Sequence, residues 1–282
     1  MKILPSGGFF FSSHSLYIRG IINHKSSKMK KILILFFITS LSISSFAQDK
    51  VVLKQTFIKV KPGNNYAEDL KTKFGEMAQK RIDAGWQSGW HLWEVVGNPQ
   101  APFTHLIVEP MTISQMEEER TREGWLKMRK EAVPSMTDSD WRTFMEDVRG
   151  KRELVAEAMF VTVTDIKRDN KVNLPDDVGV VNWMKVKEGK FKTYESMEKS
   201  LYSKGLNKNG LRTGWSLGKR IDKYGVDLYW NYFTVDWFAS YTDYVKSAAN
   251  TPAWDADKGY QSMMAVRDLR ESVVIRKVIM LD

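Results

Sequence analysis

The sequence predicts an α+β protein made of two tandem β-α-β-β-α-β repeats whose antiparallel sheets pack face to face. Three observations predict it. First, the stretch Gly85-Trp86-Gln87-Ser88-Gly89-Trp90 returns 125 residues later as Gly210-Leu211-Arg212-Thr213-Gly214-Trp215. Second, Met145, Val148, Arg149, Arg152 and Glu153 match Met263, Val266, Arg267, Arg270 and Glu271 at an offset of 118, and Lys59-Val60-Lys61 matches Lys185-Val186-Lys187 at an offset of 126. Third, strand-like and helix-like runs follow one another in the same order in both halves. A repeat longer than ~100 residues exceeds a solenoid unit and marks a duplicated domain.

In the first half, residues 51–60 are rich in β-branched residues and end at Lys61-Pro62-Gly63, a strand and its turn. Tyr66, Leu70, Phe74, Met77 and Ile82 recur at helical spacing, and Gly85 ends that helix. Residues 86–96 read as a strand, Gly97-Asn98-Pro99 as a turn and 103–108 as the returning strand. Residues 112–131 are strongly charged and read as helical. Trp141, Phe144, Met145 and Val148 mark a short helix capped by Asp138 or Ser139, and 154–163 is the last strand. Residues 166–179 are polar, contain Pro175 and read as the linker between repeat 48–165 and repeat 180–282. In the second half, 180–186 is a strand and Tyr194, Met197 and Leu201 carry a helix. Residues 211–221 and 226–234 form a hairpin around Asp222-Lys223-Tyr224-Gly225. Asp236 is expected to cap a helix carrying Trp237, Tyr241 and Tyr244. A helix at 260–266 and a strand at 272–281 close the chain.

The N-terminus carries an address. Met29-Lys30-Lys31 is a basic start, 32–38 is an apolar core, and Ser45-Phe46-Ala47 places small residues where a signal peptidase reads them. We expect a signal peptide at 29–47, cleaved after Ala47, and an exported protein, periplasmic or secreted. Residues 1–28 read as an upstream extension ahead of a better start at Met29. Excision changes the charge. The whole chain has 43 basic and 34 acidic residues; six of the basic ones and none of the acids lie in 1–47, leaving 37 against 34, or +3. The basic balance therefore belongs to the leader, and a nucleic-acid partner loses its electrostatic footing. After cleavage no run is long and apolar enough to span a membrane. The chain has no Cys, so neither a disulfide nor a Cys nucleophile is available. All ten Trp lie in the mature chain, enough for a large aromatic core.

Each half has the ferredoxin-like element order, which gives one antiparallel sheet with helices on one face and an apolar face that needs cover. In that order the mature chain resembles the dimeric α/β-barrel superfamily, in a fused, pseudo-dimeric form. The superfamily includes cofactor-independent monooxygenases, haem-binding enzymes and stress-induced proteins. The resemblance thus implies a fold and a space between sheets, but no single reaction.

Strand alternation proposes which residues face that space. Trp90 and Leu92 match Trp215 and Leu217 and suit the helix-packed face, so Gly89, His91 and Trp93, with Gly214, Ser216 and Gly218, face the other sheet. A four-residue turn at 222–225 pairs Ser216 with Asn231. Carried through the repeat, that register pairs His91 with His105, the two His of the mature chain, with Cβ atoms about 5 Å apart. Phe57, Trp93, Trp183, Tyr229 and Phe233 fall on the same face. The ligand-binding set is therefore His91, His105, Trp93, Phe57, Trp183, Ser216 and Asn231. No cofactor is expected; the alternative is a metal or haem at His91 and His105, with Glu157 as a third metal ligand. The glycines leave room that side chains would otherwise fill, which favours a pocket. The function read from this is an exported protein binding a small apolar or aromatic molecule between its sheets, with oligomeric state open. The alternatives are a cofactor-independent monooxygenase-like enzyme and a structural or interaction protein with a filled core.

Overall fold

In the computed structural model, β1 (Val51–Val60) starts the first half with the β-branched run the sequence announced. The model describes residues 50–167, 177–205, 210–223, 225, 228–250 and 258–282. The expected signal peptide at 29–47, the expected upstream extension 1–28 and residues 168–176 of the expected linker lie outside them. The first helix, α1, is built of Tyr66–Asp69, a π-helical segment Leu70–Phe74, and Gly75–Asp83. It ends where only a residue tolerant of positive φ fits. Gly85 has φ 74°, and the amides of Gly85 and Trp86 return to the carbonyls of Ile82 and Arg81 at 2.9 and 2.8 Å, closing the helix end. Then come β2 (Trp90–Val96), β3 (His105–Thr112), α2 (Ile113–Glu117), α3 (Arg122–Ala132), α4 (Asp138–Lys151) and β4 (Arg152–Lys167). The second half follows with β5 (Val178–Val186), α5 (Phe191–Gly205), β6 (Arg212–Arg220), β7 (Tyr232–Phe238), α6 (Tyr241–Ala249), α7 (Lys258–Met264) and β8 (Arg267–Leu281).

All strand pairs are antiparallel, and the order is β4-β1-β3-β2 in one half and β8-β5-β7-β6 in the other, joined into one closed barrel. The expected two sheets are present; their edges are joined because β4 and β8 are longer than the sequence suggested. The first part of β4 pairs with β1 and its end, Phe160 to Lys167, pairs with β6. Likewise β8 pairs with β5 and then with β2. Closure leaves no free sheet edge among the described strands. The expected linker 166–179 therefore begins inside β4 and ends inside β5. Bulges in β4 and β8 break the alternation there, so the hydrophobic pattern alone stopped both strands short.

Three apolar layers result. One lies between the first sheet and its helices, around Tyr66, Leu70, Trp90 and Leu92. Another lies between the second sheet and its helices, around Tyr194, Trp215, Leu217 and Met263. The third fills the barrel and draws residues from both halves. Burial of three such layers is the main favourable term in folding.

Two expected helix starts move. Thr137, not Asp138 or Ser139, caps α4: its side chain accepts from the Asp140 amide, and the Asp140 carboxylate accepts from the Thr137 amide. Asp236 and Trp237 are in β7 rather than on a helix, because Phe233, Val235 and Trp237 continue the strand alternation into the barrel; Ser240 is the cap of α6.

Candidate functional site

The expected pairing of His91 with His105 does not form. His91 lies opposite Val108, and His105 opposite Glu94. The three-residue difference from the expected register is odd, so it turns His105 to the other face. His91 faces into the barrel, as Trp93 does. His105 faces the helices, with its ring 6.2 Å from Tyr66 and Nδ1 3.0 Å from the Thr104 hydroxyl.

The hairpins explain the shift. In the second half β7 begins at Tyr232, not at 226, and Ser216 lies opposite Val235 rather than Asn231. Asn231 is instead a backbone clamp: its Oδ1 accepts from the Val186 amide at 2.8 Å and its Nδ2 donates to the Val186 carbonyl at 3.0 Å. Thr104 takes the same place in the first half, accepting from the Val60 amide at 2.8 Å, while the amides of Thr104 and Asn231 bond the carbonyls of Ile58 and Met184. The counterpart of Asn231 is therefore Thr104, and that of His105 is Tyr232.

Glu157, the expected third metal ligand, lies on the outer face of β4, where it takes a hydrogen bond from Thr56 and pairs with Lys54 at 3.1 Å. The two imidazoles and Glu157 share no space, so they do not assemble the three-ligand metal site expected of them. Among the described residues no group of three His, Asp or Glu could hold a metal ion.

The middle of the barrel is filled. Phe57 packs on Phe103 at 5.0 Å, Trp183 at 5.4 Å and Trp230 at 5.7 Å, and Phe160 packs on Phe233 at 4.8 Å and Trp230 at 5.7 Å. Phe103 and Trp230 precede Thr104 and Asn231, so each hairpin loop sends one equivalent ring inward. The room expected at Gly218 is taken: a Cβ there would lie 2.1 Å from the Phe233 ring. Trp183 Nε1 donates to Gln55 Oε1 at 3.4 Å. Tyr229, expected inside, is on the surface and donates to the Arg270 carbonyl.

Polar groups gather at the barrel end where β2 and β6 begin. His91, 7% exposed, has Nε2 2.8 Å from Asp282 Oδ1 on the extension of β8. Burial pushes its imidazole below the ordinary value, with the hydrogen bond to Asp282 opposing. At the equivalent place in the second half, Ser216 donates to Asp165 at 2.7 Å and accepts from Trp237 Nε1 at 2.8 Å. Trp93 and Trp237 meet across the barrel at 5.4 Å. Each inward polar residue of a Gly-Trp strand is thus held by a carboxylate from the end of a long strand, and the two indoles lie between the pairs. Of the expected set the fold brings His91, Trp93 and Ser216 to this end, leaves Phe57 and Trp183 in the packed middle, and separates His105 and Asn231. Sequence reasoning missed Trp237, Asp165 and Asp282. The alternation Phe233-Val235-Trp237 was the available signal for the first; the acids gave none, being the tails of strands whose ends were not recognised.

A second buried polar group lies on the inner face of α5. Glu198 is 1% exposed, with Oε1 3.7 Å from Arg267 Nε and a hydrogen bond from Tyr194. Burial pushes its carboxyl up to about 7, against the pull of Arg267. Asp236 lies in the same layer, 3.2 Å from Arg212, and burial raises it too. The first half answers Asp236 with Glu109, which is paired with Arg81 at 2.7 Å.

No family model matches the chain, and no curated protein matches it. Solved structures do. A Fusobacterium nucleatum protein provisionally named a monooxygenase matches with TM-score 0.51 and 10% identity, over 83% of this chain and 95% of that one. An anthrone oxidase-like protein matches with TM-score 0.50 and 13% identity, over 83% and 93%. The chain has the fold of the dimeric α/β-barrel proteins. At these identities the likeness extends to the fold alone. A haem-binding protein from Thermus thermophilus matches at TM-score 0.44 and 11% identity, over 81% and 91%, too far to bear on haem here. Among the described residues no helix is long and apolar enough to cross a membrane.

Proposed function

We propose that the chain binds a small planar aromatic molecule between its two sheets, at the barrel end lined by His91, Trp93, Ser216 and Trp237. The carrying observation is the pairing of two indoles in contact, Trp93 and Trp237, with two polar residues, each beside its own carboxylate. Apolar walls with a few oriented polar groups are the usual make-up of a small-molecule site. Native mass spectrometry of the protein recovered from its own cell tests this. The expected result is a retained small molecule. A bare polypeptide mass, with Trp fluorescence unchanged by a set of planar aromatic compounds, overturns it.

A second reading is a cofactor-independent monooxygenase-like enzyme acting at the same place; the names of the two fold neighbours favour it. Turnover of a bound aromatic compound with oxygen consumption would replace the binding reading by this one. We also infer that the protein is exported, from the pattern at 29–47. N-terminal sequencing of the native protein should begin at Gln48; a chain still carrying Lys30 and Lys31 refutes export by this signal.

A further inference from the structure

We propose that His91 takes a proton from a weakly acidic hydroxyl on the bound aromatic molecule, with Asp282 orienting the ring and Gly89 leaving space for the pair. This rests on the barrel-end reading above and names the chemistry of its ligand, a phenol-class compound.

Three features of the structure carry it. The first is the dyad: His91 Nε2 lies 2.8 Å from Asp282 Oδ1. A neutral imidazole that donates from Nε2 to a carboxylate has its lone pair on Nδ1, and Nδ1 is then the acceptor. The second is the space that admits the dyad. A Cβ on Gly89 would lie 2.6 Å from Asp282 Oδ1, 2.9 Å from the Leu281 carbonyl oxygen and 3.1 Å from His91 Nε2. The Leu281 oxygen is backbone and cannot swing aside, so at this position a side chain and the dyad compete for one volume. The third is the contrast between halves. Ser216 replaces His91 in the second half and still bonds a carboxylate, so the fold closes its seam without an imidazole. An imidazole, which can accept a proton through a ring nitrogen, is present at one seam only.

The charged groups around His91 fit the role. From β8 these are Asp282 and Lys277, and Lys277 is itself held 2.6 Å from Asp177. From β3 the facing residue is Val108, which is apolar. Burial keeps the resting imidazole neutral and therefore able to accept. In the step, the phenol O–H bond breaks and an N–H bond forms at Nδ1. The electron pair stays on the phenolate oxygen, and the Asp282 carboxylate stabilises the imidazolium. No electron leaves the pair, and the reverse transfer restores both partners.

The test uses 4-nitrophenol, whose phenolate is yellow, and nitrobenzene, which lacks the hydroxyl. Bound 4-nitrophenol should ionise at lower pH than the free compound, by about tenfold in apparent acid constant. His91→Gln should abolish that shift, and Asp282→Asn and Gly89→Ala should diminish it, each in a protein whose near-ultraviolet circular dichroism matches the parent. A bound nitrophenol that titrates like the free one, while nitrobenzene binds, overturns the role of His91 and leaves the barrel-end site standing. A shift that survives His91→Gln overturns it as well. Binding of neither compound to the parent protein overturns the barrel-end reading itself.

Discussion

Replacing Glu198 by Gln should remove a pH dependence from the stability of this protein. The Glu198 carboxyl is pushed up to about 7 from 4.5 because it is buried on the inner face of α5. Between those values the folded chain keeps a proton that the unfolded chain gives up, so the folded state binds more protons. Stability must then fall as pH rises through the window, the reverse of an ordinary salt-bridged carboxylate. About 2.5 units at ~1.36 kcal/mol each amount to roughly 3 kcal/mol, lost between about pH 4.5 and about pH 8. Gln keeps the shape and hydrogen-bonding capacity at this position and does not titrate. Urea unfolding followed by Trp fluorescence, at closely spaced pH values, measures both proteins. The difference between Glu198→Gln and the parent should swing in favour of the variant by about 3 kcal/mol as pH rises across the window. A difference that stays flat, or one that swings the other way, refutes the reasoning: Glu198 would then be an ordinary charged partner of Arg267.

Gly218→Ala should destabilise by about 1–3 kcal/mol, because the added methyl meets the Phe233 ring at 2.1 Å; Gly150→Ala, with nothing within 4 Å, should be neutral or slightly stabilising, and urea midpoints compare the two. Asn231→Ala should cost about 1–3 kcal/mol in the same assay, since it strips the Val186 amide and carbonyl of their partners in a buried place. Thr104→Asn, which copies the other half, should cost less than that. His91→Ser should cost within about 1–2 kcal/mol, because Ser216 shows that a hydroxyl can meet the seam carboxylate.

The sequence carried the fold in its repeat, and the repeat in turn located the Gly-Trp strands and the inward face of β2. Trp93 and His91 were legible because alternation in that strand is unbroken from Trp90 onward. The hairpin partner was not legible. Register depends on loop length, and the two loops fold a ring of their own, Phe103 or Trp230, into the barrel before the returning strand begins. A count made from the nearest turn signal therefore paired Asn231 with the wrong residue and moved His105 to the wrong face. Asp236 looked like a helix cap because Asp favours that place, yet tertiary packing kept β7 running to Phe238 and buried the carboxylate beside Arg212. Local propensity gave way to strand alternation over those residues.

Comparison of the two halves separates what the fold needs from what one half adds. The clamp that ends each hairpin is present twice, as Thr104 on Val60 and as Asn231 on Val186, with the same 2.8 Å bond from a backbone amide. A feature kept in both halves despite different side chains answers a backbone requirement, since a buried amide left without an acceptor costs free energy in either half. The seam carboxylates follow the same logic: Asp165 and Asp282 each meet an inward polar residue where a long strand crosses into the other sheet. What differs is the partner. Ser216 accepts from Trp237 and is satisfied within the protein. His91, held through one nitrogen, brings a second nitrogen of opposite hydrogen-bonding sense, which the hydroxyl of Ser216 does not supply. Closure of the barrel accounts for the carboxylates and for Ser216. It does not account for an imidazole, and that surplus is why the chemistry is assigned to the first half's seam and not to the second.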